Sequence, residues 1–228
     1  MGNLKILHLL QITDSALPVG GFAFSQGMES ALKQGLIYSY EDVMRYLNSF
    51  MQQVITFDLP FIKSAHELYN RQEPAWDEII YAYEAMLMNP ALQKSSEIMG
   101  KNIISLFKEI HADNSLETIW KYFDQKLLAF HFPVAFGVIC AALHIEMQLW
   151  IQAYYYTCLR DQVSAITRLG FMGPRAAQGL LSKLTATAHT WIEKQIQIPH
   201  YEQASRSAYM IDLAQLNHTY IYSKLFQN

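Results

Sequence analysis

The chain has 228 residues and a formal net charge of −3; 51% of its residues are hydrophobic and only 16% are charged. A chain of this length can bury a sizeable core, and we expect a single domain over 1–228. The lack of a basic excess argues against a nucleic-acid-binding surface. The low charged fraction favours cover by oligomerisation or a partner, although a large helical core would also account for it.

Helix signals recur along the chain, whereas period-2 alternation and Asn-Gly or Asp-Gly hairpin turns are absent from the sequence. Ser39 and Asp42 match a capping box at the start of a long helix. Asp58 and Pro60 indicate a new helix start, and Asn89-Pro90 is typical of another. Further helices are predicted over 4–12, 25–34, 74–88, 114 onwards, 133–150, 152–169, 173–198 and 208–226. These patterns predict an all-α, bundle-like array of about ten helices.

The sequence has two cysteines, Cys140 and Cys158, each within an apolar helical run. We therefore expect buried free thiols rather than a disulfide. The start of the chain lacks the features of a signal peptide, and the most apolar run, 127–143, is shorter than a bilayer span. These features favour a cytoplasmic protein.

An unusual loop, TDSALPVGGFAFSQGME, extends from Thr13 to Glu29. Proline and paired glycines mark it as a turn, yet apolar side chains occupy positions that a solvated loop would make polar. Such a loop must be covered, either by the rest of the chain as a buried connector or by a partner. In the second case the docking surface would comprise Pro18, Gly20, Gly21, Phe22, Ser25 and Glu29.

The C-terminal segment is predicted to be helical with apolar residues on two faces. One face would pack on the chain itself and the other on a partner, as a helix in a groove; alternatively the end folds into the core. The partner-binding candidates here are His218, Tyr222, Lys224, Leu225 and Phe226.

Two further segments are candidate interaction surfaces. Arg168 lies at a helix end near Gln178, where an arginine is either solvated and favoured by the helix dipole or in contact with a nucleotide-binding partner. Tyr154, Tyr155 and Tyr156 follow the hydrophobic middle of the chain and are candidates for a homodimer face.

The catalytic patterns that the sequence suggests are incomplete. His66-Glu67 lacks the second histidine of a zinc-protease motif, because Asn70 occupies that position. The segment from Ala23 to Gly27 lacks the first glycine and the preceding strand of a nucleophile elbow. The histidines are scattered, which predicts no stable metal site, although transient contact of His8 or His218 with a soft divalent ion stays open. We therefore predict a non-enzymatic protein without a stably bound cofactor.

Three segments resemble the UreF-type urease accessory proteins, in the expected order: LLQITDSALPVGGFAFSQGMESAL, AITRLGFMGPRAAQGLL and LNHTYIYSKLF. The resemblance implies an all-helical dimer that assists nickel incorporation into urease. It implies binding to a UreD/UreH-type accessory protein through the opening loop and the tail, recruitment and regulation of a UreG-type GTPase, and nickel delivery to apo-urease by the whole complex.

The resemblance also bears on individual residues. The segment around Arg168 matches a position that the family fills with a basic residue tied to GTPase coupling. Lys224 stands where arginine is more usual, and this exchange weakens bidentate contact with a carboxylate or phosphate.

The alternative from a different class is a stand-alone helical enzyme or ligand-binding domain with a central apolar pocket. A deep cavity with converging polar side chains near His131 or His144 would favour it.

Overall fold

The computed structural model describes residues 2–72, 75–87, 89–111, 114–194 and 197–227, without the side chains of 2, 3, 22 and 188–194. Its regular elements are helices, and no strand occurs in these ranges. The α-helices of the described part are α1 (Gly2–Ile12), α2 (Met28–Lys33), α3 (Tyr40–Gln53), α4 (Leu59–Arg71), α5 (Trp76–Met86), α6 (Pro90–His111), α7 (Asn114–Lys126), α8 (Phe132–Ala142), α9 (Met147–Arg168), α10 (Pro174–Lys194) and α11 (Tyr209–Asn217). The predicted all-α fold class is confirmed.

The centre of the fold is α8, whose residues from Pro133 to Ala141 are all buried. It packs between α4 and α6. Gly137 permits close approach to α4, because a Cβ there would lie 2.4 Å from the carbonyl oxygen of Ile62. Gly100 of α6 is tighter still, since a Cβ would lie 1.8 Å from the carbonyl oxygen of Phe130. Glycine is therefore required where these backbones meet.

The predicted capping box is confirmed at the start of α3. The Ser39 hydroxyl accepts a hydrogen bond from the Asp42 N–H at 3.2 Å, and the Asp42 carboxylate accepts one from the Ser39 N–H at 2.9 Å. The Asn89 side chain caps α6 in a similar way by accepting from the Ala91 N–H at 2.9 Å. Both signals are local, which is why the sequence alone was sufficient to find them.

The predicted new start at Asp58 and Pro60 was only partly right. A π-helical turn over Val54–Asp58 joins α3 to α4, so the helical path continues through this point. Proline is tolerated at the beginning of α4 because its missing N–H needs no partner within that first turn. Helix α2 is also shorter than predicted, beginning at Met28 rather than Ser25.

The predicted helices over 133–150 and 152–169 were placed wrongly. Helix α8 ends at Ala142, and α9 begins at Met147. His144 adopts φ 53° in the turn between them, and residues 143–146 are not helical. A continuous apolar pattern concealed this turn because both helices are buried and neither shows a polar face.

The last predicted helix, 208–226, was too long. Helix α11 ends at Asn217, a 3₁₀ turn covers His218–Tyr220, and an irregular tail follows. Helix α10 is described as far as Lys194, and residues 197–200 are not helical, so the predicted end near Ile198 was too late.

Cys140 and Cys158 are both free and buried, as predicted. Burial raises the pKa of each thiol well above its ordinary value, so neither is a ready nucleophile. In the described ranges, no helix combines the length and the hydrophobicity that crossing a membrane requires.

Candidate functional site: the opening loop and the C-terminal tail

The opening loop is held in place by polar contacts from distant elements. Gly20 adopts φ 94° and precedes a 3₁₀ turn over Gly21–Ala23. The Asn102 amide of α6 donates to the Val19 carbonyl at 3.3 Å, and the Arg160 guanidinium of α9 donates to the Thr13 carbonyl. The loop is therefore seated on the helices beneath it. Of its predicted docking residues, Pro18 is exposed, and the Phe22 side chain lies outside the described part.

Ser25 sits fully buried where the loop enters α2. Its hydroxyl accepts from the Glu29 N–H at 3.3 Å, and its carbonyl accepts from the Gln162 amide of α9 at 3.1 Å. Of the two alternatives for this loop, a buried connector or a docking surface, Ser25 supports the first, because it anchors the loop to α2 and α9. Its side chain does not face outward.

Glu29 is the centre of the site. Its side chain is wholly buried, and its carboxylate accepts from Lys33 Nζ at 2.8 Å and contacts His218 Nε2 at 2.9 Å. It also accepts from the backbone N–H groups of Leu225 at 2.7 Å and Phe226 at 3.1 Å. One acidic side chain on α2 thus gathers three points of the C-terminal segment.

These contacts fix the charge of Glu29. Burial by itself would raise the pKa of this carboxyl. The opposing contacts with Lys33, His218 and the two backbone N–H groups lower it to about 2. A buried carboxylate is tolerated when it is paired and fully hydrogen-bonded. Glu29 is therefore ionised at neutral pH and holds the tail as an anion.

The tail closes over the loop at a second point. The Gln227 N–H donates to the Ala23 carbonyl at 2.8 Å, and the Phe226 side chain is buried. The Arg168 guanidinium lies over the Phe226 ring at 4.2 Å, a cation–π contact. The opening loop, the tail and the Arg168 corner were predicted as separate surfaces. In the fold they meet in one place. We call this assembly the loop–tail site.

The outward side of the loop–tail site is aromatic and apolar. Tyr220 and Tyr222 are almost fully exposed, and Leu225 is about half exposed. Lys224 is exposed as well, and its ammonium donates to the Thr219 carbonyl at 3.2 Å. The tail therefore alternates anchors that point inward with side chains that point to solvent.

The site borders a cavity of about 440 Å³ between the opening loop, α9 and α10. Gly21, Arg168 and Gln178 all contribute to its wall. Deeper in the wall, Arg160 pairs with Asp161 at 2.7 Å; burial raises the pKa of Asp161, and the arginine opposes that effect. Gln178 is exposed and lines the same cavity as Arg168; their contact with a partner stays a prediction.

The three tyrosines predicted as a dimer face do not share one orientation. Tyr154 is buried, and its hydroxyl donates to the Asp58 carboxylate at 3.0 Å. Tyr155 is also buried, whereas Tyr156 is 39% exposed. Successive helical residues point in different directions, so only Tyr156 is available to a second chain, and the dimer face itself stays a prediction.

Several anchoring residues were missed by sequence reasoning. Lys33 follows Glu29 by four residues on the same helix face, a spacing that signals an ion pair. Gln162 on α9 gave no local signal, because its partner is the carbonyl of Ser25, far away along the chain. The burial of His218 could not be predicted from the sequence either, because its partner Glu29 lies 189 residues away along the chain.

His66, His131 and His144 have different surroundings. His131 is buried beside Glu84 at 3.3 Å, and His66 contacts the carbonyl of Ile145 at 3.3 Å. His144 is exposed in the turn before α9. Neither His131 nor His144 lines the 440 Å³ cavity. Across the described residues, no cluster of three or more histidine, cysteine or acidic side chains is arranged to hold a metal ion.

The chain is similar to known proteins over most of its length. The family model described as UreF matches residues 37–185. A protein named Urease accessory protein F from Oryza sativa subsp. indica is 29% identical over 220 residues, covering 95% of this chain and 82% of the relative. One of the same name from Arabidopsis thaliana is 30% identical over 225 residues, covering 95% and 90%. Urease accessory protein UreF from Marinomonas sp. (strain MWYL1) is 26% identical over 231 residues, covering 99% and 95%.

Proposed function

The chain belongs to the UreF family of urease accessory proteins, and on that basis we propose that it is a non-enzymatic, dimeric scaffold in urease maturation. The scaffold binds a UreD/UreH-type accessory protein, recruits a UreG-type GTPase and regulates it. The resulting complex delivers nickel to apo-urease. A role in urease maturation follows from the family; the individual partners and the dimer are the finer part of the proposal.

The observation that carries the proposal is that some tail residues are anchored to the fold while others face solvent. Phe226 and the backbone of Leu225 are tied down by Arg168 and Glu29, while Tyr222 points entirely outward. A surface tyrosine exposes a large aromatic area, which is costly in an isolated chain and common at the centre of interfaces. A rigidly held strip of this kind supports docking with little loss of conformational entropy.

We assign the UreD/UreH-type contact to the exposed tail residues Tyr220, Tyr222 and Leu225 together with the adjacent opening loop around Pro18. The buried residues Ser25, Glu29, His218 and Phe226 then act as positioning residues, since their side chains face inward. The network of contacts around these residues explains why changing one of them would disturb a surface that the residue does not itself form.

For the GTPase, the wall formed by Arg168 and Gln178 is the proposed contact. Arg168 already lies over Phe226 at 4.2 Å, so a change in the tail would be transmitted to this wall through a direct contact. Coupling between the two partners requires such a physical link. The homodimer is assigned to the α9 face around Tyr156.

The experiment is co-purification of the full chain with a co-expressed UreD/UreH-type protein, followed by size-exclusion chromatography. Tyr222→Ala should weaken the complex by roughly tenfold or more, as expected for an interface aromatic. Tyr81→Ala is the matched control, because Tyr81 is also an exposed tyrosine but lies on α5.

Circular dichroism shows whether each variant retains its helix content. A folded wild-type chain that forms no complex would refute the proposal. Equal loss in both variants would show that the tail is not the docking surface.

A further inference from the structure

The cavity of about 440 Å³ beside the opening loop has two unlike walls. Its apolar wall is formed by side chains of the loop, of α6 and of α10, among them Leu17, Val19, Ile103 and Leu181. Leu17 and Val19 are only partly buried, so the apolar residues of the loop border this space. The volume lies within the range of about 300–1,000 Å³ that is usual for small-molecule sites.

The opposite wall is a polar stripe along α9. Thr157, Asp161, Ser164 and Arg168 follow one another at intervals of three or four residues, which places them on one face of the helix, and all four line the cavity. Thr157 is buried, whereas Ser164 and Arg168 are partly exposed and Gln178 beside them is exposed. The Thr157 end is therefore the inner end of the stripe.

Thr157 carries a hydrogen-bonding group that the fold does not use. Its hydroxyl is buried and makes no hydrogen bond to any described residue. A threonine in a helix can donate to the carbonyl four residues before it, as Thr167 does to Val163 at 2.9 Å. A buried hydroxyl without a partner costs free energy and calls for an explanation. A polar group of a ligand would supply the missing partner.

Asp161 offers a second polar atom to this space. The Arg160 guanidinium donates to Asp161 Oδ1 from Nε at 3.0 Å and from Nη2 at 2.7 Å, and to the Thr13 carbonyl from Nη1. Neither bond to Asp161 uses Oδ2, which faces Gly21: a Cβ added there would lie 3.4 Å from it. The arginine thus balances the carboxylate charge, and Oδ2 remains an acceptor for a ligand.

We propose that the cavity binds a small neutral molecule with a short aliphatic body and one hydrogen-bonding head, such as a primary amide. The body contacts Leu17, Ile103 and Leu181, and the head lies between the Thr157 hydroxyl and Asp161 Oδ2. These two residues are one helical turn apart, with about 5–6 Å between Cβ atoms, a gap that a planar amide head spans. An amide suits the pair because its NH₂ group donates and its carbonyl accepts.

The charges of the wall disfavour an ionic head. Arg160 and Asp161 already form a pair at 2.7 Å, so a further ion at the inner end would be desolvated without a counter-ion of its own. The other charged groups that line the cavity lie toward solvent. Arg168 is partly exposed and lies over the Phe226 ring at 4.2 Å, and Asp14 is exposed.

Methyl NMR titration of the full chain with hexanamide, hexanoate and hexylammonium tests the site, because the three probes share one aliphatic body and differ in the head. Hexanamide should shift the methyl signals of Leu17, Ile103 and Leu181 saturably, with a Kd of about 1 mM or tighter for so small a ligand. The two charged probes should bind at least about tenfold more weakly, because their heads lose hydration without gaining a counter-ion.

Thr157→Val keeps the shape of the side chain and removes the hydroxyl. It should weaken hexanamide binding by about three- to tenfold and leave the helix content unchanged, since it removes an unpaired buried group. Thr187→Val is the matched control, because the Thr187 hydroxyl donates to the Lys183 carbonyl on α10 outside the cavity wall. Ser164→Leu fills the space and should abolish hexanamide binding in a chain that circular dichroism shows to be folded.

Absence of a saturable shift with hexanamide would overturn the proposal and leave a cavity that holds water only. Equal affinity for the three probes would overturn it as well, because the aliphatic body alone would then account for binding. Hexanamide affinity that Thr157→Val or folded Ser164→Leu leaves unchanged would place the probe elsewhere and have the same consequence.

The inference stands apart from the proposed scaffold function. Thr157→Val should leave the complex with the UreD/UreH-type protein intact, and Tyr222→Ala should leave hexanamide binding intact. Failure of one proposal is therefore distinguishable from failure of the other.

Discussion

Replacement of Glu29 by glutamine should release the tail while leaving the rest of the fold intact. Glutamine has the same shape but is neutral, so it reproduces the protonated carboxyl. The folded chain holds the pKa of Glu29 at about 2, against an ordinary value of 4.5. That difference corresponds to about 3 kcal/mol of preference for the anion, within the range expected for breaking a buried pair.

The loss should appear locally, because the partners of Glu29 are in the tail and in its own helix. About 3 kcal/mol increases the population of the detached tail by roughly a hundredfold. Hydrogen–deuterium exchange of the peptide over 218–227 measures this opening, with the amides of Leu225 and Phe226 as the informative positions. Glu97→Gln is the matched control, because its pair with Lys94 is exposed and contributes little.

The direction of the pH dependence follows from the lowered pKa. Stabilisation by Glu29 is fully present above about pH 4.5 and is lost as the pH falls toward 2. Unchanged exchange of the tail in Glu29→Gln would refute this reasoning, as would exchange that rises equally across every helix. The second result would mean that the tail is part of the cooperative core.

Two further predictions concern the helical core. Gly100→Ala should destabilise the chain by several kcal/mol or prevent folding, because the added methyl would overlap the Phe130 carbonyl. Gly179→Ala places its new Cβ more than 4 Å from any neighbour and should instead stabilise α10 by about 1 kcal/mol. Thermal unfolding of the two variants and the wild type measures both changes in stability. Burial raises the pKa of Asp58 to about 6 against the opposing effects of Arg206 and the Tyr154 hydroxyl. The free energy of unfolding should therefore fall by about 2 kcal/mol between pH 4 and 7. Urea titrations across that range should show the slope in the wild type and its loss in Asp58→Asn; a slope that persists in the variant would assign it to other groups.

Some features of this fold follow from neighbouring residues alone. The Ser39–Asp42 capping box and the Asn89 cap need only residues that are three positions apart or closer, and both form as predicted. Buried free cysteines also follow from local apolar context. The resemblance of three ordered segments to the UreF family was likewise readable in the sequence, and the family model and full-length relatives bear it out.

Other features depend on contacts that local patterns cannot contain. The turn at His144 was hidden because buried helices on both sides lack a polar face to mark their ends. The helix after Ala208 stops at Asn217, and the backbone beyond it finds hydrogen-bond acceptors on Glu29, 196 and 197 residues away in sequence from the donors.

By itself the sequence determined that the chain is helical, where many of its helices begin, and which family it belongs to, because propensity, capping and motif order are properties of short segments. Only the tertiary structure decided that the opening loop, the Arg168 corner and the tail form one site, and that Tyr156 alone of the three adjacent tyrosines is exposed. The physical reason is that a buried carboxylate must be paired wherever its partners happen to lie along the chain. Folding brings those partners to Glu29. A local sequence pattern cannot predict contacts between residues so far apart along the chain.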